Sequence, residues 1–206
     1  MTDKRAVTQV PVHDIIAQRW SGRAFDAHKP VGREHIIALL EAARWAPSCF
    51  GDEPWRFIVW DKNTDAAAWQ KAFACLGEFN QQWVKNAPVL LLSTANKLFR
   101  ENGKPNRWSE YDTGAAAENL SLQATALGLM AHQMGGFDAD KTRHAFNIPA
   151  QYGCMAMIAV GYPAAPETLT EDLKLRELAQ RTRRPLRECF FENEWEAPIT
   201  LDKGFT

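Results

Sequence analysis

The sequence lacks the short motifs that mark several large classes of enzyme. It contains no HExxH, no CxxC, no GxGxxG and no P-loop. These absences argue against a zinc-protease site, a vicinal thiol pair, a dinucleotide site of the Rossmann type and a phosphate loop. The five histidines show no metal-ligand spacing, so no metal is expected.

Cysteine, net charge and long apolar runs are also scarce. The four cysteines lie far apart, which favours a reducing cytoplasm over a disulfide-forming compartment. A net charge of -1 provides no general attraction to nucleic acid or to an anionic membrane. The longest apolar run, at residues 88–92, has the length of a strand and is too short to span a bilayer. We therefore expect a cytoplasmic protein with no nucleic-acid partner and no membrane partner.

Apolar periodicity predicts a single α+β domain over residues 1–206. Residues 110–129 are apolar nearly all round, which predicts a buried central helix with Gly128 at its carboxyl end. About four strands are expected, and the third follows this helix as a crossover connection requires. The predicted helices are 12–19, 33–45, 65–75, 79–84, 110–129 and 141–146, and the named strands are 57–60, 87–94 and 154–160.

Two groups of arginines could bind an anion. Arg19, Ser21 and Arg23 alternate, so in an extended turn two guanidinium groups and a hydroxyl can converge on one ligand. The alternative interpretation is a solvated helix end. A second basic cluster at residues 181–187 is open to the same two interpretations, and its acidic neighbours oppose a nucleic-acid role.

Two further segments are candidates for contact with a ligand. Gly135 and Gly136 let the backbone approach a ligand closely, although the pair also suits an ordinary loop after the long helix. Cys49 follows Pro47 and Ser48 in a loop of small residues. No adjacent base supports a nucleophilic role for this thiol, so a small loop residue is the favoured interpretation.

The order of these segments resembles that of the nitroreductase family of FMN-dependent, NAD(P)H-using oxidoreductases. The resemblance covers nearly the whole chain, and its motifs are weak singly but specific in this order. They are Arg-x-Ser-x-Arg-x-Phe at 19–25, Ala-Pro-Ser to Pro-Trp-x-Phe at 46–57, Asn80 with Val-x-x-Ala-Pro at 84–88, a helix at 112–120, Gly135-Gly136, Gly-Tyr-Pro at 161–163 and Arg-x-Arg-x-Pro-Leu at 181–186.

The resemblance implies a three-layer fold and a cofactor site shared between subunits. The fold would be a central mixed β-sheet surrounded by helices, in an intertwined homodimer. Pro47, Ser48 and Cys49 would reach the FMN of the partner subunit. The aromatic tail at residues 190–195 would embrace the other chain.

The resemblance also implies which residues hold the cofactor. The turn with Arg19, Trp20 and Ser21 would meet the phosphate and ribityl end of FMN, and Arg181 and Arg183 would close on the same phosphate.

The isoalloxazine ring would have its own set of neighbours. Arg23 and Asn80 would lie at its pyrimidine edge, and Met134, Gly135 and Gly136 would run along the ring. No side chain is implied as an acid or base, because the chemistry takes place at flavin N5. Arg23 and the backbone N–H near Gly135 would provide electrostatic support.

The implied activity is a ping-pong reduction of a flat acceptor, nitroaromatic or quinone-like, at the expense of NAD(P)H. A flavin-binding sensor or carrier without turnover remains an alternative, as do dehalogenation and ene reduction. Gly51 and Glu53 replace the Asn and Gln usual in the family, which should loosen the loop and add a carboxylate. If Glu53 lies near the substrate, nitro and anionic acceptors would be disfavoured.

Overall fold

The computed structural model describes residues 4–201 of the chain. The four strands of this part are separated along the chain by one or two helices. The helices are α1 (Asp14–Gln18), α2 (Arg33–Arg44), α3 (Ala66–Phe73), α4 (Glu78–Val84), α5 (Ser109–Ala126), α6 (Ala139–Ala145), α7 (Glu171–Leu178) and α8 (Leu186–Cys189). The strands are β1 (Trp55–Asp61), β2 (Val89–Asn96), β3 (Met130–Met134) and β4 (Tyr152–Gly161).

The four strands form one sheet in the order β1-β2-β4-β3. Every neighbouring pair is antiparallel, so the mixed sheet implied by the resemblance is wrong for the described residues. The predicted crossover through α5 is present, because β2 and β3 run in the same direction. β4 lies between them, and a parallel ladder therefore never forms.

The two faces of the sheet are both covered, which produces three layers. On β2, Leu90 and Leu92 point into one core with Trp69 and Trp83, below α3 and α4. Val89 and Leu91 point into the other core, where α2 and α5 pack. Alternation along a strand places successive side chains on opposite faces, so one apolar run fills both cores. The predicted three-layer α+β fold is confirmed.

Helix α5 is buried on only one side. Its residues Ala116, Leu120 and Ala124 pack on the sheet, and Asn119 donates from Nδ2 to the Ala42 carbonyl of α2 at 3.1 Å. The opposite side is open to solvent in the single chain, where Tyr111 is 77% exposed. The expected burial all round is therefore wrong for the isolated chain.

Helix α5 is also the connection that leads into the third strand. After its last turn the chain passes through Gly128 at φ +70°, a left-handed conformation that glycine adopts without steric cost. The predicted end of the helix at this glycine is confirmed. Among the described residues, no helix is both long enough and apolar enough to span a membrane.

Candidate functional site

A basic cleft lies between the amino-terminal segment and residues 181–183. Arg19, Arg181 and Arg183 line it together with Thr182 and an apolar wall, which consists of Ala6, Val7 and Ile16. The Arg19 guanidinium donates to Ser21 Oγ at 3.2 Å, so this hydroxyl belongs to the same group. The predicted meeting of residues some 160 positions apart in sequence is therefore found in the fold.

The three guanidinium groups of the cleft have few acidic partners. Arg19 Nε lies 3.5 Å from a Glu118 carboxylate oxygen, whereas Arg181 and Arg183 form no ion pair within residues 4–201. Burial lowers the pKa of Arg181, and the nearby charges of Arg19 and Arg183 lower it further. Like charges held this close favour an anion between them.

Arg181 also has a structural task. Its guanidinium donates to the carbonyl oxygens of Lys4 at 2.5 Å, Ala17 at 3.1 Å and Arg19 at 2.9 Å. These bonds fix the end of α1 and the turn that follows it. Arg183, by contrast, donates only to the adjacent Thr182 carbonyl among residues 4–201, at 2.8 Å, and is otherwise exposed.

Arg23 does not line the basic cleft with Arg19 and Ser21. Its guanidinium lies 6.0 Å from the Trp83 ring centroid, and its buried Nε has no hydrogen-bond partner in the described part of the chain. Burial lowers the pKa of this guanidinium, while the nearby Glu177 carboxylate raises it. The expected convergence of Arg19, Ser21 and Arg23 on one anion is therefore wrong. The side chain of Arg23 does not point the same way as the other two, because the backbone N–H of Arg23 is bonded to Glu177.

Asn80 meets the glycine loop directly. Its Nδ2 donates to the Gly136 carbonyl at 3.0 Å, and the same oxygen accepts from the Gly77 N–H at 3.0 Å. A Cβ on Gly136 would lie 2.7 Å from Asn80 Nδ2, so only glycine permits this approach. Gly135 has open space where its side chain would be, which leaves its backbone accessible to a ligand.

Two predicted cofactor residues direct their side chains into the protein. Met134 ends β3 and is buried in the core beside Trp83. Trp20 packs against the same core, and Lys4 Nζ lies 5.2 Å from its ring centroid. Contact of these two residues with a cofactor would therefore come mainly from the backbone.

Comparisons with known proteins agree with this arrangement. Residues 16–162 match the model of the nitroreductase family. The chain belongs to the nitroreductase family. The major NAD(P)H-flavin oxidoreductase of Aliivibrio fischeri is 33% identical over 195 residues, covering 76% of this chain and 88% of that protein.

Solved structures of the family extend the likeness to the whole fold. A crystal structure of an oxidoreductase containing FMN superposes with a TM-score of 0.86 at 35% identity, covering 96% of this chain and 98% of that one. A protein from Desulfovibrio desulfuricans, solved in complex with FMN, has a TM-score of 0.68 at 27% identity and covers 88% and 95% of the two chains. The family resemblance read from the sequence is confirmed.

The loop with the nitroreductase motif Ala-Pro-Ser does not line the basic cleft. Within the described chain, Pro47, Ser48 and Cys49 share neither a hydrogen bond nor a cleft with Arg19. Ser48 Oγ accepts from the Glu53 N–H at 3.0 Å, and the Cys49 N–H donates to Asp112 at 3.0 Å. The loop and the cleft both contact α5, the loop at Asp112 and the cleft at Glu118.

The same loop is well anchored despite its departures from the family motif. Buried Asp52 accepts from the Arg100 N–H at 2.8 Å and from Asn106 Nδ2 at 3.1 Å. Phe50 has φ +55° and its ring is 93% exposed, while Glu53 has φ +49°. The expected loosening is therefore countered by side-chain anchors, and the left-handed residues present a phenyl ring to solvent.

Sequence reasoning missed two polar residues that contact the Gly22–Ala24 segment, buried Glu177 and partly buried His132. Glu177 accepts hydrogen bonds from the Arg23 and Ala24 N–H groups, and His132 is bonded to the Gly22 carbonyl. One signal for Glu177 was available, because it lies four residues after buried Leu173 on the same side of α7. Nothing in the sequence near His132 indicates its partner, which lies 110 residues away.

Proposed function

We propose that this chain is an FMN-dependent oxidoreductase that accepts electrons from NAD(P)H and passes them to a flat acceptor, nitroaromatic or quinone-like, in a ping-pong cycle. The observation that carries the proposal is the basic cleft, in which Arg19, Arg181 and Arg183 meet from opposite ends of the chain. The FMN phosphate is nearly doubly charged at neutral pH, so it suits this surplus of guanidinium groups.

The remaining predicted residues fit the flavin as well as the phosphate. The Nε of Arg23 is a buried hydrogen-bond donor with no acceptor among the described residues. A ring carbonyl of a bound flavin would be such an acceptor. Asn80 holds the Gly135–Gly136 loop, whose first residue leaves open space beside the backbone. A flat ring bound there would meet Arg23 and Asn80 at one edge and the Gly135 backbone along its length.

Bound flavin supplies the hydride chemistry. The protein orients the ring and stabilises the negative charge that reduction brings. A guanidinium fixed in a partly buried position does this without reorganisation, because it is already oriented before the electrons arrive. Arg23 has this role in the proposal, and the backbone N–H near Gly135 supports it. No side chain acts as an acid or base.

We further propose a homodimer in which Pro47, Ser48 and Cys49 reach the flavin of the partner subunit. Large apolar side chains are exposed on or beside α2 and α5, among them Trp45 at 73%. Exposed apolar surface of this kind is characteristic of a subunit contact. Light scattering at micromolar concentration should give twice the chain mass of 23.2 kDa.

The experiment that tests the proposed function is anaerobic stopped-flow mixing. Purified protein should be yellow or should become so when FMN is added. Mixing with NADH or NADPH should bleach the flavin, and a nitroaromatic or quinone should restore the colour. Protein that takes up FMN but is never bleached would be a carrier or sensor, and protein that binds no FMN would refute the proposal.

A further inference from the structure

Both polar atoms of the peptide group between Gly22 and Arg23 are bonded to side chains from distant parts of the chain. The Gly22 carbonyl oxygen lies 2.9 Å from His132 Nδ1 on β3. The Arg23 N–H lies 3.0 and 2.9 Å from the two carboxylate oxygens of Glu177 on α7. The Ala24 N–H adds a third bond to Glu177, at 3.2 Å. We call His132 and Glu177, with the peptide between them, the peptide clamp.

The clamp leaves this segment little freedom. Glu177 is only 3% exposed, and a buried carboxylate needs hydrogen-bond donors to remain charged. A Cβ on Gly22 would lie 2.2 Å from Met130 Sδ and 3.0 Å from a Glu177 oxygen. The backbone before Arg23 is therefore held by hydrogen bonds and by close packing together.

The geometry defines the protonation of His132. A carbonyl oxygen only accepts hydrogen bonds, so Nδ1 must carry the proton that bonds to Gly22. Burial lowers the pKa of the ring to about 4, so the imidazole is neutral at neutral pH. Its ring centroid lies 4.5 Å from that of Trp83, the same indole that faces the Arg23 guanidinium.

The side chain of Arg23 depends on this backbone. Among the described residues it forms no ion pair, and its Nε has no hydrogen-bond partner. The position of the Arg23 guanidinium is set by the backbone at this residue and by the Trp83 ring beside the side chain. A shift of the peptide clamp would therefore move the guanidinium relative to any ligand.

We propose that His132 and Glu177 are positioning residues that aim the Arg23 guanidinium at the pyrimidine edge of the flavin and so set the potential of the bound cofactor. The proposal rests on the proposed function. Neither residue touches the ligand in this scheme. Both act through the Gly22–Arg23 peptide, which is hydrogen-bonded to His132 on β3 and to Glu177 on α7.

The test compares two substitutions of His132 that differ only in whether the donor survives. In His132→Asn, the amide nitrogen can take the place of Nδ1, whereas His132→Leu removes the donor. We expect His132→Leu to weaken the affinity for reduced FMN about tenfold more than for oxidised FMN. For a two-electron couple this lowers the midpoint potential by about 30 mV. His132→Asn should retain the wild-type potential.

Glu177→Gln examines the other half of the clamp. The substituted side chain keeps one oxygen that can accept a hydrogen bond, but its NH₂ group now faces a backbone N–H. We therefore expect the midpoint potential of bound FMN to fall by about 30 mV here too. Glu171→Gln, an exposed position on the same helix, is the matched control and should leave the potential unchanged. Circular dichroism and thermal melting establish that each variant is folded.

A measurement on wild-type protein keeps the proposal falsifiable if the variants do not fold. Nitrogen-15 NMR should show a neutral His132 protonated on Nδ1 near pH 7, and a ring protonated on Nε2 would overturn the clamp. Folded His132→Leu and Glu177→Gln proteins with wild-type potentials would also overturn the proposal. If wild-type protein fails to bind FMN, the proposed function itself fails, and the NMR result still reports on the clamp.

Discussion

Arg181 and Arg183 are only two residues apart, yet their guanidinium groups have different partners. Arg181 donates to carbonyl oxygens of Ala17 and Arg19 and thereby holds the amino-terminal turn in place. Within the described part of the chain, Arg183 donates only to its neighbouring carbonyl and is exposed. Substitutions at the two positions should therefore affect different properties.

Arg183→Ala is expected to weaken FMN affinity without changing the stability of the fold. The loss should be about 1.5–3 kcal/mol, the scale of a hydrogen bond to a charged group, and isothermal titration calorimetry would measure it. Arg184→Ala is the matched control, because Arg184 is an exposed arginine outside the cleft. Equal affinities in the two variants would contradict the phosphate assignment.

Arg181→Ala should reduce both affinity and stability. The variant loses one cation of the cleft and the bonds to three backbone carbonyls, those of Lys4, Ala17 and Arg19. We therefore expect a fall of about 1–3 kcal/mol in the free energy of unfolding of the cofactor-free protein. Denaturant titration without FMN separates this effect from ligand binding. A stability equal to that of Arg183→Ala would argue against a structural role for Arg181.

His132 should make the protein less stable in acid. Burial places its pKa at about 4 when folded, against an ordinary value of 6.5. Above pH 6.5 the ring is neutral in both states and contributes no pH dependence. Between pH 6.5 and 4 the unfolded chain binds the proton more readily, so stability falls as the pH is lowered, by at most roughly 3 kcal/mol.

His132→Asn removes this titration while keeping the donor to Gly22. Between pH 7.5 and 4.5, the loss of unfolding free energy should be smaller in the variant by about 2 kcal/mol. Urea titrations of both proteins at the two pH values measure the difference. Parallel losses in wild type and variant would show that His132 is not the group responsible.

The arginines of the proposed cofactor site were easier to predict from the sequence than the residues that hold its backbone. Arg19, Arg181 and Arg183 stand in motifs whose order resembles a family, so their meeting could be expected. His132 and Glu177 act through backbone atoms of another segment, and such partners are set only when β3 and α7 are in place. For Glu177 the only sequence signal is its spacing of four residues from Leu173, and the charged residues around it obscure this signal.

At the scale of elements, strong periodicity decided what could be predicted. Helices α2 and α5 have long apolar patterns and clear ends, and both were expected close to their observed bounds. Strand β3 was not placed, because His132 and Gln133 interrupt its five residues. Helix α7 was also missed, since only Leu173 and Glu177 of its eight residues are buried. Short elements of this kind are defined by tertiary contacts.

The end of α5 provides a direct test of one such boundary. Gly128 has φ +70°, and a Cβ there would meet nothing within 4 Å, so a substitution costs backbone strain alone. Gly128→Ala should lower the free energy of unfolding by about 1–2 kcal/mol. Gly128→Asn should recover much of this loss, because asparagine tolerates the left-handed region. Equal stabilities of the Ala and Asn variants would contradict the helix-cap explanation.

At the scale of the whole molecule, the basic cleft and the Pro47–Cys49 loop have different supports. The basic cleft is built from the two ends of the chain, whereas the Pro47–Cys49 loop is anchored through Asp112 at the start of α5. The pairing of strands could not be read from the sequence, because apolar runs alone do not say that β4 inserts between β2 and β3. Whether cleft and loop belong to one flavin site depends on the homodimer proposed above.

If each flavin site takes its phosphate residues from one subunit and its loop from the other, two inactive variants should restore activity when mixed. Arg19→Ala/Arg183→Ala damages the cleft, and Cys49→Trp obstructs the loop. A heterodimer of the two has one site with both defects and one intact site. After refolding an equal mixture, random pairing predicts about a quarter of wild-type turnover. Turnover of the mixture no higher than the mean of the two separate variants would contradict a shared site. The cleft and loop of one subunit would then serve the same site, or they would not belong to one site at all.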